Sequence, residues 1–263
     1  MSNIIILGGS GMLGRAVVAE ATKRGISFVA PDRLKCNLSV ESSYLTFLDN
    51  QEDIQYIINC AGLVPERKAR PENIIRVNSI APYQVACWAL ERGVRVFHIS
   101  TDCVFSDRNL ARNIHSIPDP IDLYGKSKSL GEVNLPTVTN IRTSFIGLGK
   151  YGLLNWLISN AGHDVPGYTS MYWSGTTTYE LANALFNYIE NGIFHPIEHF
   201  TTELSVTKDS LLRMLNSKLD LRCHIVAQNF PLGHRTLFPT VIMPPVEDLL
   251  DELADAYFMS IQP

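Results

Sequence analysis

No stretch of the sequence approaches the ~18 to 20 consecutive apolar residues that a bilayer crossing needs. The first apolar run, Ile4 to Leu7, stops at a glycine. Only Met1, Ser2 and Asn3 precede it, too few for a signal or transit peptide, so the cytoplasm is the expected compartment. Cysteine is sparse and unpaired in pattern. Cys36, Cys60, Cys87, Cys103 and Cys223 are an odd number without a C-x-x-C spacing, which excludes a disulfide framework and a zinc site and leaves reduced thiols. A basic run is missing as well. Lys and Arg total 22 against 26 Asp and Glu, a net charge of −4, so neither nucleic acid nor a membrane is an expected partner. Repeats, low-complexity tracts and flexible linkers are also lacking. What is present is an ordinary globular composition, 46% hydrophobic and 18% charged over 263 residues, enough to bury a large core.

The first 145 residues alternate short apolar runs with helical patterns, the rhythm of βαβ units and a parallel sheet. Ile4 to Leu7, Phe28 to Ala30, Tyr56 to Asn59 and Val94 to Ser100 read as strands, being short and rich in β-branched or aromatic residues. Met12 to Arg24 and Asn73 to Glu91 read as helices that stop at Gly25 and before Gly93, and a third helix starts around Lys126 to Glu132. Beyond about residue 145 the pattern is less regular, with helices expected over Tyr151 to Ala161, Thr178 to Glu190, Lys208 to Lys218 and Pro244 to Phe258. The expected fold class is therefore α/β: a Rossmann-type, doubly wound parallel sheet with a smaller C-terminal lobe for substrate. Residues 1–145 form the dinucleotide-binding domain, 174–205 return to it, and 146–173 with 206–263 make the lobe.

Ile4 through Gly14 read as a strand, a glycine-rich turn and a helix start. In that order Gly8 permits the turn, Gly11 lets backbone approach a pyrophosphate, and Gly14 lets the helix pack close, while the helix N-terminus offers N–H donors. Ser10, Met12 and Leu13 fill the same turn. The spacing is G-x-x-G-x-x-G. At the second strand's end Asp32 suits a ribose 2′-hydroxyl and its neighbour Arg33 suits a 2′-phosphate, so NAD and NADP both stay open. Asn59, Cys60, Ala61 and Gly62 close a further strand and are expected against the cofactor's ribose side.

Ser100, Thr101 and Asp102 end an apolar strand, and Tyr124 and Lys128 follow four apart on a helix. That spacing puts both side chains on one face, where the Lys128 ammonium can reach the phenol and the nicotinamide ribose. A phenol is a poor acid-base catalyst at its ordinary pKa, and a nearby positive charge favours the phenolate. Tyr124 then exchanges a proton with a substrate oxygen, and Thr101, at a strand's carboxyl end, holds that oxygen.

With these residues in order, the chain resembles the extended short-chain dehydrogenase/reductase superfamily, and within it dTDP-4-dehydrorhamnose reductase and related sugar-nucleotide reductases. The resemblance rests on Gly8 to Gly14, Asn59 to Gly62, Arg76-Val77-Asn78, Ser100 to Phe105, Tyr124 to Lys128 with Gly131-Glu132, Ile141 to Ser144, and Trp173 to Thr177 followed by Glu180-Leu181-Ala182. It implies Thr101, Tyr124 and Lys128 as the catalytic set, NAD or NADP as cofactor and a nucleotide-diphosphate sugar as substrate, and it leaves a homodimer open. The implied reaction is reduction of a 4-keto nucleotide sugar in the synthesis of deoxysugar or cell-surface polysaccharide precursors. Cys103, Arg142, Trp173 and Arg235 are the candidates for substrate contacts, Arg235 because a guanidinium fork fits a diphosphate.

Two departures bear on this reading. Where the family carries a Tyr-x-Glu-Asp stretch, this chain has Asn113-Ile114-His115-Ser116, and where sugar-nucleotide 4,6-dehydratases place a Glu after Thr-Asp, it has Cys103. Dehydration is disfavoured for want of that acid. Cys103 also admits an epimerase, since GDP-fucose synthase is similar here and pairs a Cys with a distant His, for which His163 is the nearest candidate. A third alternative is a cofactor-binding regulatory subunit, because the regulatory beta subunit of methionine adenosyltransferase resembles the same reductases.

Overall fold

The structure is a computed structural model that describes residues 3–106, 111–229 and 233–261. Its first strand, β1 (Ile4–Leu7), is fully buried. Ile4 and Ile6 enter one core while Ile5 and Leu7 enter another, so the continuous apolar run reflects a strand covered on both faces rather than one. The chain continues through α1 (Met12–Lys23), β2 (Phe28–Val29), α2 (Glu41–Asp49) and β3 (Tyr56–Asn59). Next come α3 (Pro71–Ile75), a π-helical segment over Arg76–Ile80, α4 (Ala81–Glu91), β4 (Arg95–Ile99), α5 (Leu123–Leu130) and β5 (Val138–Arg142). Gly25 and Gly93 have φ of +66° and +67°, the left-handed geometry expected after α1 and α4.

The second half is built from β6 (Phe145–Ile146), α6 (Leu153–Ser159), β7 (Asp164–Tyr168), β8 (Met171–Trp173), β9 (Thr176–Thr177), α7 (Thr178–Asn191) and β10 (Ile197–Thr202). It ends with β11 (Val206–Thr207), α8 (Lys208–Lys218), β12 (His224–Gln228), β13 (Gly233–Arg235), β14 (Val241–Met243) and α9 (Val246–Ile261). Seven strands form one parallel sheet in the order β14-β10-β5-β4-β3-β1-β2. α1 and α7 cover one face through Leu13, Val17, Leu181 and Leu185; α2 and α4 cover the other through Tyr44, Leu48, Val85 and Trp88. A third core gathers Leu157, Leu211, Leu215, Leu250 and Leu253, all from the second half of the chain.

Three features differ from the pattern read in the sequence. α2 is an additional helix of nine residues in which only Tyr44 and Leu48 are fully buried, while Leu45 and Phe47 pack against the core from half-buried positions, so the stripe is too short to stand out. The helix expected from Asn73 is broken by the π-helical segment, where the buried Asn78 bonds Leu63 and Ser127. β14 lies within the stretch assigned to the lobe yet pairs with β10, extending the large sheet by one strand.

The sheet order fixes where a ligand can sit. From β1 the chain turns outward to β2 and then crosses to β3 on β1's other side, so the crevice between the carboxyl ends of β1 and β3 is the topological switch point.

Candidate active site

At that switch point a cleft of about 730 Å³ opens, and the glycine turn forms its floor. Gly8 has φ of +77°, and a Cβ there would stand 2.8 Å from Ala61 backbone. Gly14 has no room either, since its Cβ would meet the Gly8 carbonyl oxygen at 2.0 Å. Gly11 is different. It caps α1 without a side-chain bond to the first turn, and its Cβ would meet nothing within 4 Å but the Gly8 oxygen at 3.1 Å, so its missing side chain leaves the helix N–H groups open to the cleft. Ser10, Met12 and Leu13 line the cleft with Gly8 and Gly11, whereas Gly14 serves the packing behind. An extended, anion-bearing dinucleotide fits this arrangement of turn, helix end and cleft.

Beyond the turn the cleft is lined by Arg33, Cys60, Ala61 and Gly62. Asp32 is directed elsewhere: one carboxylate oxygen accepts the backbone N–H groups of Leu34 and Lys35, at 2.9 and 3.0 Å. Asn59, expected at the ribose, is buried beneath the cleft, where its Oδ1 accepts Ala61 N–H at 3.1 Å and its Nδ2 meets His98 Nδ1 at 3.1 Å.

At the far end stand Ser100, Thr101, Cys103, Tyr124 and Lys128. The Thr101 hydroxyl donates to Asp102 Oδ1 at 3.0 Å and accepts Cys103 N–H at 3.1 Å, and it lines the same end of the cleft as the Tyr124 phenol. Tyr124 lies in the first turn of α5, which Asp122 caps by accepting Gly125 N–H at 2.7 Å. Burial pushes the phenol above its ordinary pKa, and the Cys103 thiol adds to the shift. Lys128, one turn on, donates to the Ile99 carbonyl at 2.6 Å and faces His98 Nε2 at 3.3 Å; burial brings it down to about 8. The spacing of four predicts a lysine charge that lowers the tyrosine, but in the fold desolvation dominates both groups.

The expected substrate contacts separate into two kinds. Arg142 is 2% exposed and its Nε and Nη2 bond the Glu132 carboxylate at 2.9 and 2.7 Å, so it braces β5 and cannot reach a substrate. Trp173 is likewise buried, donating to Ser144 Oγ at 2.8 Å behind the cleft wall. Neither burial is visible in the sequence, because no local spacing marks Glu132, ten residues before Arg142, or Ser144, 29 residues before Trp173, as the partner that holds the side chain inside. Arg235, on β13, is brought to the site: its Nη1 donates to Cys103 Sγ at 3.1 Å. His163 is not. It is exposed beyond α6 and bonds the Ala161 carbonyl, and burial pushes the Cys103 thiol up to about 12.

Sequence reasoning missed three residues at this site. His98 sits within the buried strand β4, where an imidazole among Val96, Phe97 and Ile99 is itself a signal of a fixed polar partner. Arg67 and Tyr151 line the cleft from opposite loops, the guanidinium 5.7 Å from the ring centroid. No local pattern marks that pair.

Comparison with known proteins is consistent with this geometry. The dTDP-4-dehydrorhamnose reductase of Mycolicibacterium smegmatis is 28% identical over 212 residues, 74% of this chain and 63% of that relative. Methionine adenosyltransferase 2 subunit beta of Danio rerio is 33% identical over 141 residues, 49% of this chain and 42% of that relative. The chain thus spans less than two thirds of the length of either. Its fold superposes on the crystal structure of dTDP-4-dehydrorhamnose reductase from Bacillus anthracis in complex with NADP with a TM-score of 0.84, at 20% identity and covering 100% of both chains. Residues 1–153, which carry the glycine turn, Thr101, Tyr124 and Lys128, match the RmlD substrate binding domain, and the chain belongs to that family.

Proposed function

We propose that this protein is an NADPH-dependent reductase of a 4-keto nucleotide sugar, acting in the formation of deoxysugar or polysaccharide precursors. The observation that carries the reading is the convergence of Thr101, Tyr124 and Lys128 at one end of a cleft whose other end is the glycine turn. The named activities of the relatives from Mycolicibacterium and Bacillus anthracis agree with it.

The chain's own residues account for the proton half of such a reduction. Raised by burial, Tyr124 stays a phenol at neutral pH and can give its proton to a ketone oxygen, the direction a reductase needs. Thr101, fixed between Asp102 and Cys103 N–H, positions that oxygen beside the phenol. Lys128 lines the same end of the cleft, where it would hold a ribose hydroxyl of the dinucleotide. Gly11 and the N-terminus of α1 would hold a pyrophosphate, and Arg33 a 2′-phosphate, which favours NADPH because Arg33 lines the cleft whereas Asp32 turns one carboxylate oxygen to its own loop. The bound dinucleotide would supply the hydride. The lobe, with Arg235 at its border, would hold the sugar nucleotide.

The test is NADPH oxidation with a dTDP-4-keto-6-deoxy sugar. Tyr124→Phe should keep cofactor binding and lose at least about a hundredfold in kcat, since general acid catalysis contributes about 10² to 10⁴. A loss below tenfold in a wild type that turns over would remove the mechanism. A second reading, a cofactor-binding regulatory subunit, is favoured by the match to the beta subunit across 49% of this chain; a wild type inert towards keto sugars that forms a stable complex with a second enzyme would select it.

A further inference from the structure

Beneath the cleft a chain of buried polar groups ends on Lys128, and its first member has only one possible role. The Ala61 backbone N–H is a donor, so Asn59 Oδ1, 3.1 Å away, must be the amide's oxygen. Asn59 Nδ2 therefore faces His98 Nδ1 as a donor at 3.1 Å, and that ring nitrogen must accept. In a neutral imidazole the proton then resides on Nε2, which points at Lys128 Nζ across 3.3 Å. Asn59, His98 and Lys128 are 1%, 1% and 3% exposed, so no bulk water mediates the contact. An ammonium would set donor against donor here. A neutral amine resolves the conflict, accepting from Nε2–H while donating to the Ile99 carbonyl at 2.6 Å.

We propose that His98, locked by Asn59 as its Nε2–H tautomer, is a positioning residue that favours the neutral amine of Lys128 over its ammonium and so lowers the pH at which this amine takes up a proton. Burial supports the same direction, drawing Lys128 down to about 8 and keeping His98 neutral by pushing it well below its ordinary value. The other titratable groups near the amine are the Cys60 thiol at the end of β3, the Glu132 carboxylate beyond α5, and Tyr124 one turn back. Cys60 is held protonated by burial, and Glu132 is committed to Arg142 and Ser100. Neither replaces the histidine. The consequence for turnover rests on the reductase reading: Lys128 gains or loses its charge within the working pH range instead of standing as a fixed charge near the phenol.

The test separates the two claims by reading the amine without turnover. Competitive acetylation of the full chain with acetic anhydride, followed across pH by mass spectrometry of the Lys128 peptide, gives the midpoint of that amine. His98→Gln can turn its side-chain carbonyl to the ammonium, and Asn59→Asp accepts both Ala61 N–H and an Nδ1–H, which reverses the tautomer. Both should raise the midpoint by about one pH unit or more, tenfold in proton affinity, and move the alkaline limb of the activity profile with it. Unchanged midpoints in both folded variants would overturn the proposal. Nitrogen-15 NMR of wild-type His98 decides independently of any variant: Nε2–H is expected, and a neutral ring protonated on Nδ1 would refute it.

Discussion

At the residue scale, neighbouring side chains of similar promise prove to have unlike tasks. Asp32 and Arg33 are adjacent, yet one closes a local turn and the other lines the cleft. Arg33→Ala should therefore cost NADPH about tenfold to a hundredfold in affinity, the worth of a hydrogen bond to a charged group, and leave NADH nearly unaffected, while Asp32→Ala should not change their ratio; equilibrium titration of both cofactors checks this. Lys128 carries a pH signature of its own. Its pKa falls from 10.5 to about 8 on folding, so the unfolded chain binds more protons between those values and stability rises with pH there. The burial penalty is fully present below about 8 and fades towards 10.5. Wild type should thus gain on Lys128→Met across that window, by about 1.4 kcal/mol for each factor of ten by which folding weakens the amine's hold on its proton, as measured by urea unfolding at several pH values.

At the scale of single elements, α5 is the piece on which the chemistry depends. Eight residues long, it carries Tyr124 and Lys128 one turn apart and is anchored at its start by Asp122. Asp122→Ala should cost about 0.5–2 kcal/mol of stability and loosen the turn that aims Tyr124. The expected kinetic result is a lower kcat with cofactor affinity little changed, because the dinucleotide turn belongs to α1. Behind α5, Glu132 joins Ser100 to Arg142 and ties the helix end to β4 and β5. α1, α5 and α8 are legible in the sequence because a glycine-rich start, the helical pattern around Lys126 to Glu132 and that over Lys208 to Lys218 are local signals. α2 and the π-helical segment are not, since a short apolar stripe and the demands of Asn78 have meaning only against neighbours from elsewhere in the chain.

At the scale of the whole molecule, the cores on the two faces of the large sheet both reach the cleft, through Leu13 and Ile99 from one and Leu7 and Leu63 from the other. A ligand that binds only the folded state stabilises it by mass action. NADPH at a hundred times its dissociation constant should therefore add about 2.7 kcal/mol to wild type, read as a rise in Tm. Gly11→Val should remain folded, because Gly11 faces the cleft rather than the core, and should lose that rise. A full thermal shift in this variant would mean that the dinucleotide lies elsewhere.

The sequence by itself determined the parallel sheet, the glycine turn and the order of Thr101, Tyr124 and Lys128, because each is written in contiguous residues or in a helical spacing of four. Tertiary structure alone decided the rest. It sent Arg142 and Trp173 into the interior, carried Arg235 to Cys103 across 132 positions, and set His98 between Asn59 and Lys128. The physical reason is that burial and hydrogen-bond partnership fix the role of a polar side chain, and both depend on which distant strands lie side by side.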